Sequence, residues 1–547
     1  MVFIVKKRLS FLLLFIFILI GCNTTNINVS IKSVELDIST IPNDEINVDD
    51  FNLNDIKLLI TYTDNSIETK TVDKSMISDD DFNSLSSPGI KEIEVSYKTF
   101  ELIFVVTLVE IEVGDSINVF AFNDTHGAFN SDSEYPGFEK VNTIANSLEK
   151  ENGQYIKIAN GDIFQGSYVS NIHYGKPMVE AMNKMDLDAF VIGNHEFDWG
   201  INKIQEYKDG NLENGEADFE FLAANIVHTS TNETLEWTKD YIIVNNNGYK
   251  VAIIGVIQEG LETSIASDKI AGYKFLDPVT IVSNLSKKLR TELDVDMVLV
   301  SIHGYSSYTN TRLASLSNDN RIDGIICGHT HQEISEFEMR NDGFNIPVVQ
   351  SYTKNISVGE IVYSINNNKF EATINHYNPF DYGNDSKIIE VIDKYKNTID
   401  EGERVIGYTT EDLYRYRLGA EMVKAMKEKY STDVAIINTA GVRDDIGVGN
   451  IKVKKIYEVF PFDNKVILTS MSGEKLKNLY ENNSSYLYFS SGFNPYELDY
   501  NKTYTISTID FVFTSTYYKN EFSNSTPNNT NVFMRDIFIE YIESWVK

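Results

Sequence analysis

Eight histidines occur among 547 residues, and five of them stand directly behind apolar runs. Ile117–Phe122 leads into Asn123-Asp124-Thr125-His126-Gly127, and Ala189–Ile192 into Gly193-Asn194-His195-Glu196-Phe197-Asp198. Met297–Ile302 leads into His303-Gly304, and Ile325–Cys327 into Gly328-His329-Thr330-His331. A further run, Tyr155–Ala159, delivers Asn160-Gly161-Asp162. Imidazole nitrogens suit transition metals, and carboxylate and amide oxygens complete a site for a charged substrate. The neighbouring Gly127, Gly161, Gly193, Gly304 and Gly328 let the backbone turn sharply beside these groups. The pattern predicts a metal site. His195 and Asp198 lie three residues apart, a spacing that puts both on one face of a helical turn. His173, His228 and His376 fall outside any cluster and read as surface or packing residues, and Cys327 as a small buried hydrophobe.

The elements that must carry these groups are legible in the same stretch. From about Ser116 to Asn378, apolar runs alternate with segments of helical period such as Phe138–Lys150 and Met178–Met185. That is the rhythm of an α/β domain. Ligand sites in open α/β sheets lie at the carboxyl ends of strands, so the five runs are expected to meet at one edge of a sheet. Ser386–Thr398 has the spacing of a connecting helix, and Glu403–Lys547 reads as a further α+β region. Before the α/β stretch, Ile56–Tyr62, Glu92–Tyr97 and Glu101–Val109 read as strands separated by turn residues, with little helix signal. A small all-β sandwich over residues 31–113 is expected.

Composition removes several classes of function. Lys plus Arg number 48 against 80 Asp plus Glu, a formal charge of −32, and such a surface repels polyanions. A nucleic acid polymer is therefore not an expected partner. Two cysteines give no disulfide framework and no cysteine-rich metal site. At 42% hydrophobic residues and only 10 prolines, the chain is not a disordered or low-complexity one. The N-terminus reads as an address: Lys6, Lys7 and Arg8 precede the apolar run Phe11–Ile20, too short to span a bilayer. Leu19-Ile20-Gly21-Cys22 resembles the lipobox of bacterial lipoproteins. That resemblance implies a signal peptide over residues 1–21, lipidation of Cys22, a tether over 22–30 and a mature protein anchored outside the cell membrane.

Two further resemblances are specific. Residues 31–113 are similar to bacterial immunoglobulin-like repeats, through the tyrosine-turn YTDNS and the segment SSPGIKEIEVSYKTFELIFVVTL. DTHG, NGDIFQGS, GNHEFDWG, HG and GHTH together resemble the calcineurin-like metallophosphoesterases, in their 5′-nucleotidase branch. The resemblance implies a four-layer α/β/β/α catalytic domain over 114–380, a linker helix over 381–402 and a C-terminal substrate-binding domain over 403–547. It implies two divalent ions, zinc or manganese, one held by Asp124, His126, Asp162 and His331 and the other by Asp162, Asn194, His303 and His329. Two ions about 3.5–4 Å apart clamp phosphoryl oxygens and lower the pKa of bound water, providing a nucleophile at neutral pH. His195 would stabilise phosphoryl charge or donate to the leaving oxygen, with Asp198 fixing its tautomer.

In the C-terminal half, Asn438-Thr439-Ala440-Gly441-Val442-Arg443 resembles the family's NxGGxR-type loop, and Pro461-Phe462-Asp463-Asn464 its PFxN segment. The resemblance makes Asn438 and Arg443 substrate contacts, and Phe462 and Phe511 the rings that stack on a base. Arg415 or Arg417 would add a phosphate contact. Where relatives carry a GGDG-type loop, this chain has Thr514-Ser515-Thr516-Tyr517-Tyr518, which lacks the nucleoside-holding Asp. The expected activity is hydrolysis of small-molecule nucleotides to nucleoside and phosphate. UDP-sugar or 2′,3′-cyclic-nucleotide hydrolysis at the same ions, and a silent nucleotide-binding surface adhesin, are the alternatives.

Overall fold

Strands that are buried on both faces carry near-continuous apolar sequences, and this chain has two sheets of them. The computed structural model describes residues 30–42, 46–48, 51–109, 116–366, 369–515 and 517–545. The expected leader, Cys22, most of the tether and Thr516 lie outside these residues. Among the described residues, no helix is long and apolar enough to cross a membrane.

The first six-stranded sheet runs Glu220–Leu222, Ala189–Val191, Ile156–Asn160, Ser116–Phe122, Val358–Asn366, Lys369–Tyr377. Its first four strands are parallel and the last two antiparallel. The second sheet runs Tyr241–Asn246, Tyr249–Ile257, Met297–His303, Gly324–Ile326, Asn345–Gln350, Ile334–Met339, with a parallel centre. Strand alternation sorts the side chains between layers. Ile117, Val119 and Ala121 face Val251, Leu299 and Ile326 of the other sheet. Phe120 and Phe122 point the opposite way, onto Val141 and Ile144 of helix Gly137–Asn152 and Met178 and Met182 of helix Lys176–Lys184. On the far side, Val298, Val300 and Ile302 pack on Val282 and Leu289 of helix Pro278–Glu292. The layers are helix, sheet, sheet, helix.

Two sequence expectations change here. The five polar clusters do not share the edge of one sheet. Those after Ser116–Phe122, Ile156–Asn160 and Ala189–Val191 belong to the first sheet, and those after Met297–His303 and Gly324–Ile326 to the second. An apolar run reports burial on two faces but not which sheet it joins. The connecting helix is also two helices, Ser386–Lys394 and Lys396–Gly402, separated at Tyr395 (φ −102°, ψ 10°).

The C-terminal region builds its own core around a five-stranded sheet in the order Leu487–Phe489, Val434–Asn438, Thr503–Ile509, Lys465–Ser472, Asn528–Phe533. Helices Arg415–Tyr430, Val453–Val459, Gly473–Asn483 and Met534–Ser544 cover it. Chain from Val113 onward packs as one unit, and Met1–Glu112 forms the other. Within the latter, sheets Ile31–Leu36/Lys57–Tyr62/Ile67–Thr71 and Ile46–Asn47/Phe100–Val109/Gly89–Tyr97 enclose Leu58, Ile60, Val95, Phe104 and Val106. It also holds a helix the sequence reading did not anticipate, Asp79–Ser84. Ser78 caps it, its hydroxyl accepting from the Asp81 amide, and three aspartates occupy its positive first turn.

Candidate active site

Seven candidate ligands converge where the two sheets meet. Asp124, His126 and His331 bring one ligand atom each to within 4.8 Å of one another, as do Asp162, His303 and His329. A third such group, His126, Asp162 and His195, joins the two. Asn194 completes the set, its Oδ1 lying 3.3 Å from His303 Nε2.

Hydrogen bonds fix which atoms face inward. His303 Nδ1 donates to the Asn160 carbonyl at 2.8 Å and His126 Nδ1 to the Gln165 carbonyl at 3.1 Å. Carbonyls only accept, so both Nδ1 atoms carry hydrogen, and in the neutral rings both Nε2 atoms present lone pairs. Asp124 Oδ2 accepts from Asn123 Nδ2 at 2.6 Å and from the His329 amide at 2.8 Å. Asp162 Oδ1 accepts the His195 amide at 2.8 Å. The other oxygens, Asp124 Oδ1 and Asp162 Oδ2, are buried without a hydrogen-bond partner, and so is His329 Nδ1. Buried polar atoms are nearly always satisfied. Three orphans beside imidazole lone pairs are the donor set of a cation, and the residues present fit divalent metal.

Charge follows the same logic. Burial drives the pKa of His126 well below the ordinary value, and burial together with neighbouring positive charge lowers His329 and His331 to about 4. Both effects favour the neutral rings that metal binding requires. Burial raises Asp124 to about 6. His303 behaves differently: burial disfavours its charge, but Asp162, 3.2 Å away, overrides this and lifts it to about 10.

Backbone conformation sharpens the point. Asp124, His126, Asp162, His329 and His331 have φ of 49°, 47°, 56°, 76° and 57°. Left-handed backbone is uncommon outside glycine and clusters at functional sites. Of the glycines expected to turn here, Gly127, Gly161 and Gly304 do so at φ 72°, 77° and 147°, and the candidate ligands beside them share that geometry. Gly193 serves instead by close approach, since a Cβ there would sit 2.4 Å from Asp162 Oδ1.

His195 lies on the turn His195–Phe197 after strand Ala189–Val191, and its Nδ1 is 2.8 Å from Asp198 Oδ2. Burial opposes charge on the ring, but Asp198 and then Asp162 outweigh it and raise its pKa. The ring of Phe462, from the C-terminal region, stacks on His195 with centroids 5.7 Å apart and planes at 26°. Asn171 Nδ2 and Arg535 Nη1 both donate to the Pro461 carbonyl and hold that turn in place.

Two cavities open from the site. The larger, about 940 Å³, is lined by Asp162, Asn194, His195, Asp198, His329, Asn438, Arg443, Phe462, Phe511 and Tyr517 among others. The smaller, about 690 Å³, has His126, His195, His331, Arg415 and Arg443 in its walls. Between the two arginines the sequence left open, Arg415 reaches a cavity, whereas Arg417 pairs with Glu411 at 2.7 Å. Asn438 is buried with Oδ1 unpartnered. The substituted loop is held at the wall of the larger cavity by Ser267 Oγ, which donates to the Thr514 carbonyl at 3.0 Å. His173, His228 and His376 lie apart: His173 Nε2 meets Thr398 Oγ1 at 2.9 Å, His228 Nε2 lies 3.8 Å from a Glu236 carboxylate oxygen, and His376 bonds Ser335 and the Gln350 carbonyl. Cys327 is buried, its pKa pushed up to about 12 by desolvation.

Two residues went unread. Glu196 receives three backbone amides beside the ligands, and Asn160 sews the sheets together: its Nδ2 donates to the Ile302 and Ile326 carbonyls and its Oδ1 accepts Ser301 Oγ. Both stood within the motifs, but as ordinary loop polars. For Asn160, an amide ending the apolar run Tyr155–Ala159 was the available signal.

Residues 117–333 match the calcineurin-like phosphoesterase family, and residues 405–507 match the 5′-nucleotidase C-terminal domain. The chain belongs to the 5′-nucleotidase family of calcineurin-like phosphoesterases. The 5′-nucleotidase of Vibrio parahaemolyticus is 24% identical over 425 residues, covering 66% of this chain and 73% of that protein. An apyrase of Tabanus yao is 25% identical over 419 residues, 67% of this chain and 73% of its own. The crystal structure of a 5′-nucleotidase precursor from Thermus thermophilus shares the fold, with a TM-score of 0.66 at 19% identity over 79% of this chain and 96% of that one. As a member of this family, the phosphoesterase is a metal-dependent phosphoric ester hydrolase.

Proposed function

We propose that the chain hydrolyses nucleotides to nucleoside and phosphate outside the cytoplasm, using two divalent ions, zinc or manganese, in the paired ligand clusters around Asp162. The larger cavity carries this reading. One space brings ligand candidates, the His195–Asp198 pair, Arg443 and two phenylalanines to a common substrate. A phosphate ester on a planar aromatic group has the chemistry to use all of them: guanidinium for phosphate, aromatic faces for the base. Relatives named 5′-nucleotidase add support.

Bound ions would polarise the phosphoryl group and make water nucleophilic at neutral pH. The chain's own groups do the rest. Asp198 holds His195 Nδ1–H, which aims Nε2 at the phosphoryl or leaving oxygen. Arg443 and Arg415 neutralise phosphate charge. Phe462 and Phe511 receive the base, and Asn438 Oδ1 accepts from the nucleoside. The Thr514–Tyr518 loop offers no carboxylate there, so discrimination among nucleotides is weak. Residues 31–113 act as an immunoglobulin-like spacer, with a lipid on Cys22 anchoring the protein to the membrane.

Phosphate release from a nucleotide panel, with and without chelator, tests the proposal. Enzymes acting on phosphate monoesters remove on the order of 20 kcal/mol of barrier, so chelation should abolish turnover and zinc or manganese restore it. Asp162→Ala should be the most damaging single ligand change, because it serves both clusters. Near-normal turnover in that variant would refute the two-ion reading.

A further inference from the structure

Glu196 is fully buried and lies outside the side-chain groups that could hold an ion. Its carboxylate is instead filled by backbone. Oε2 accepts the Asp162 amide at 2.9 Å and the Gly193 amide at 2.8 Å, and Oε1 accepts the Ile163 amide at 3.0 Å. Those amides belong to two different loops, one after Ile156–Asn160 and one after Ala189–Val191. Asp162 sits in left-handed backbone at φ 56°, a conformation its neighbours must enforce. Gly193 is pressed so closely that an added Cβ would lie 2.7 Å from the Asp162 amide nitrogen and 2.8 Å from Glu196 Oε2.

We propose that Glu196 is the positioning residue of the shared metal ligand: by gathering three amides it locks the Asp162 loop onto the Asn194–His195 loop and keeps Asp162 Oδ2 turned inward beside His303. Resting on the metal reading above, the inference adds a residue that acts through backbone rather than by touching metal or substrate. Glutamine is the informative replacement. It keeps the shape, but its amide group offers one accepting oxygen and turns a donor toward a donor, so the three backbone amides can no longer all be accepted.

The test is binding of Mn²⁺ to the metal-free full-length protein, followed by calorimetric titration and by the rise in melting temperature that Mn²⁺ produces. Groups that orient a ligand typically change metal affinity by about 10–100-fold. Glu196→Gln is expected to weaken Mn²⁺ binding by that range and to shrink the Mn²⁺-induced rise in melting temperature. At saturating metal it should lower kcat while leaving KM nearly unchanged. Glu196→Asp, which keeps the charge but stands one methylene short, should fall between. The melting shift is read as a difference, so it remains informative if either variant is less stable. Equal Mn²⁺ affinity and an equal shift in wild type and Glu196→Gln would overturn the proposal. Failure of the wild-type protein to bind Mn²⁺ or Zn²⁺ at all would instead overturn the metal reading itself.

Discussion

His195 belongs geometrically to a group that could hold an ion, with His126 and Asp162, and chemically to a pair with Asp198. The two roles make opposite demands. A ligand must stay neutral, whereas the Asp198 contact favours the imidazolium. Its Nε2 lies 4.0 Å from Asp162 Oδ2, against 3.2 Å for His303, which places it outside the tighter cluster. His195→Ala should therefore reduce kcat far more than it changes KM, the mark of a contact made chiefly in the transition state. Metal content by elemental analysis should stay near wild type. Loss of metal in this variant would make His195 a ligand.

At the level of elements, Phe462 joins two jobs. The sequence offered it as a ring for a base, but the structure rests that ring on His195, with Arg443 6.0 Å from its centroid. Phe462→Ala should accordingly weaken nucleotide hydrolysis most, yet also lower kcat on a small aryl phosphate that does not reach the C-terminal region. An unaltered rate on the aryl phosphate would show that the contact with His195 does not support catalysis. A second element carries a buried acid. Asp188, just before strand Ala189–Val191, accepts the Lys157 amide at 2.8 Å, and burial raises its pKa from 3.8 to about 6. Its protonated form is favoured by folding, so that stability is full below pH 4 and is lost as pH rises through about 6. Asp188→Asn keeps the acceptor and removes the charge. It should raise the melting temperature at pH 7.5, by at most about 3 kcal/mol of stability, and leave it unchanged near pH 4.

How much the sequence disclosed also divides by element. Runs such as Met297–Ile302 announce strands because both faces are buried, and the clusters behind them supply the candidate ligands that the fold brings together. Pairing is not written in a single run, so the split between two sheets was hidden. Tyr395 interrupts a helix whose apolar spacing continues through it, and periodicity cannot report a local break in φ and ψ. Asp79–Ser84 went unread because three aspartates carry no apolar period; its signal was the Ser78 cap. Glu196 was illegible for a different reason: its partners are backbone amides, which every residue except proline has.

On the scale of the molecule, every candidate ligand and substrate contact belongs to the unit that begins at Val113. What precedes it bears on location rather than chemistry. If Cys22 carries lipid, the wild-type protein should enter the detergent phase on partitioning, and Cys22→Ser should move it to the aqueous phase without altering kcat. Wild-type protein found in the aqueous phase would count against anchoring.

The left-handed ligands have a consequence for how such a protein changes over generations. Each L-residue held in that region costs roughly 1–2 kcal/mol that glycine would not, and five of the seven candidate ligands are held there. Exchange for glycine at Asp124, His126, Asp162, His329 or His331 would remove a candidate ligand while relieving the backbone. Selection for hydrolysis therefore works against selection for a sturdier fold at these five positions. In a lineage freed from the need to hydrolyse, these five positions are where backbone strain alone would favour drift toward glycine, against the hydrogen bonds that Asp124, Asp162 and His126 make.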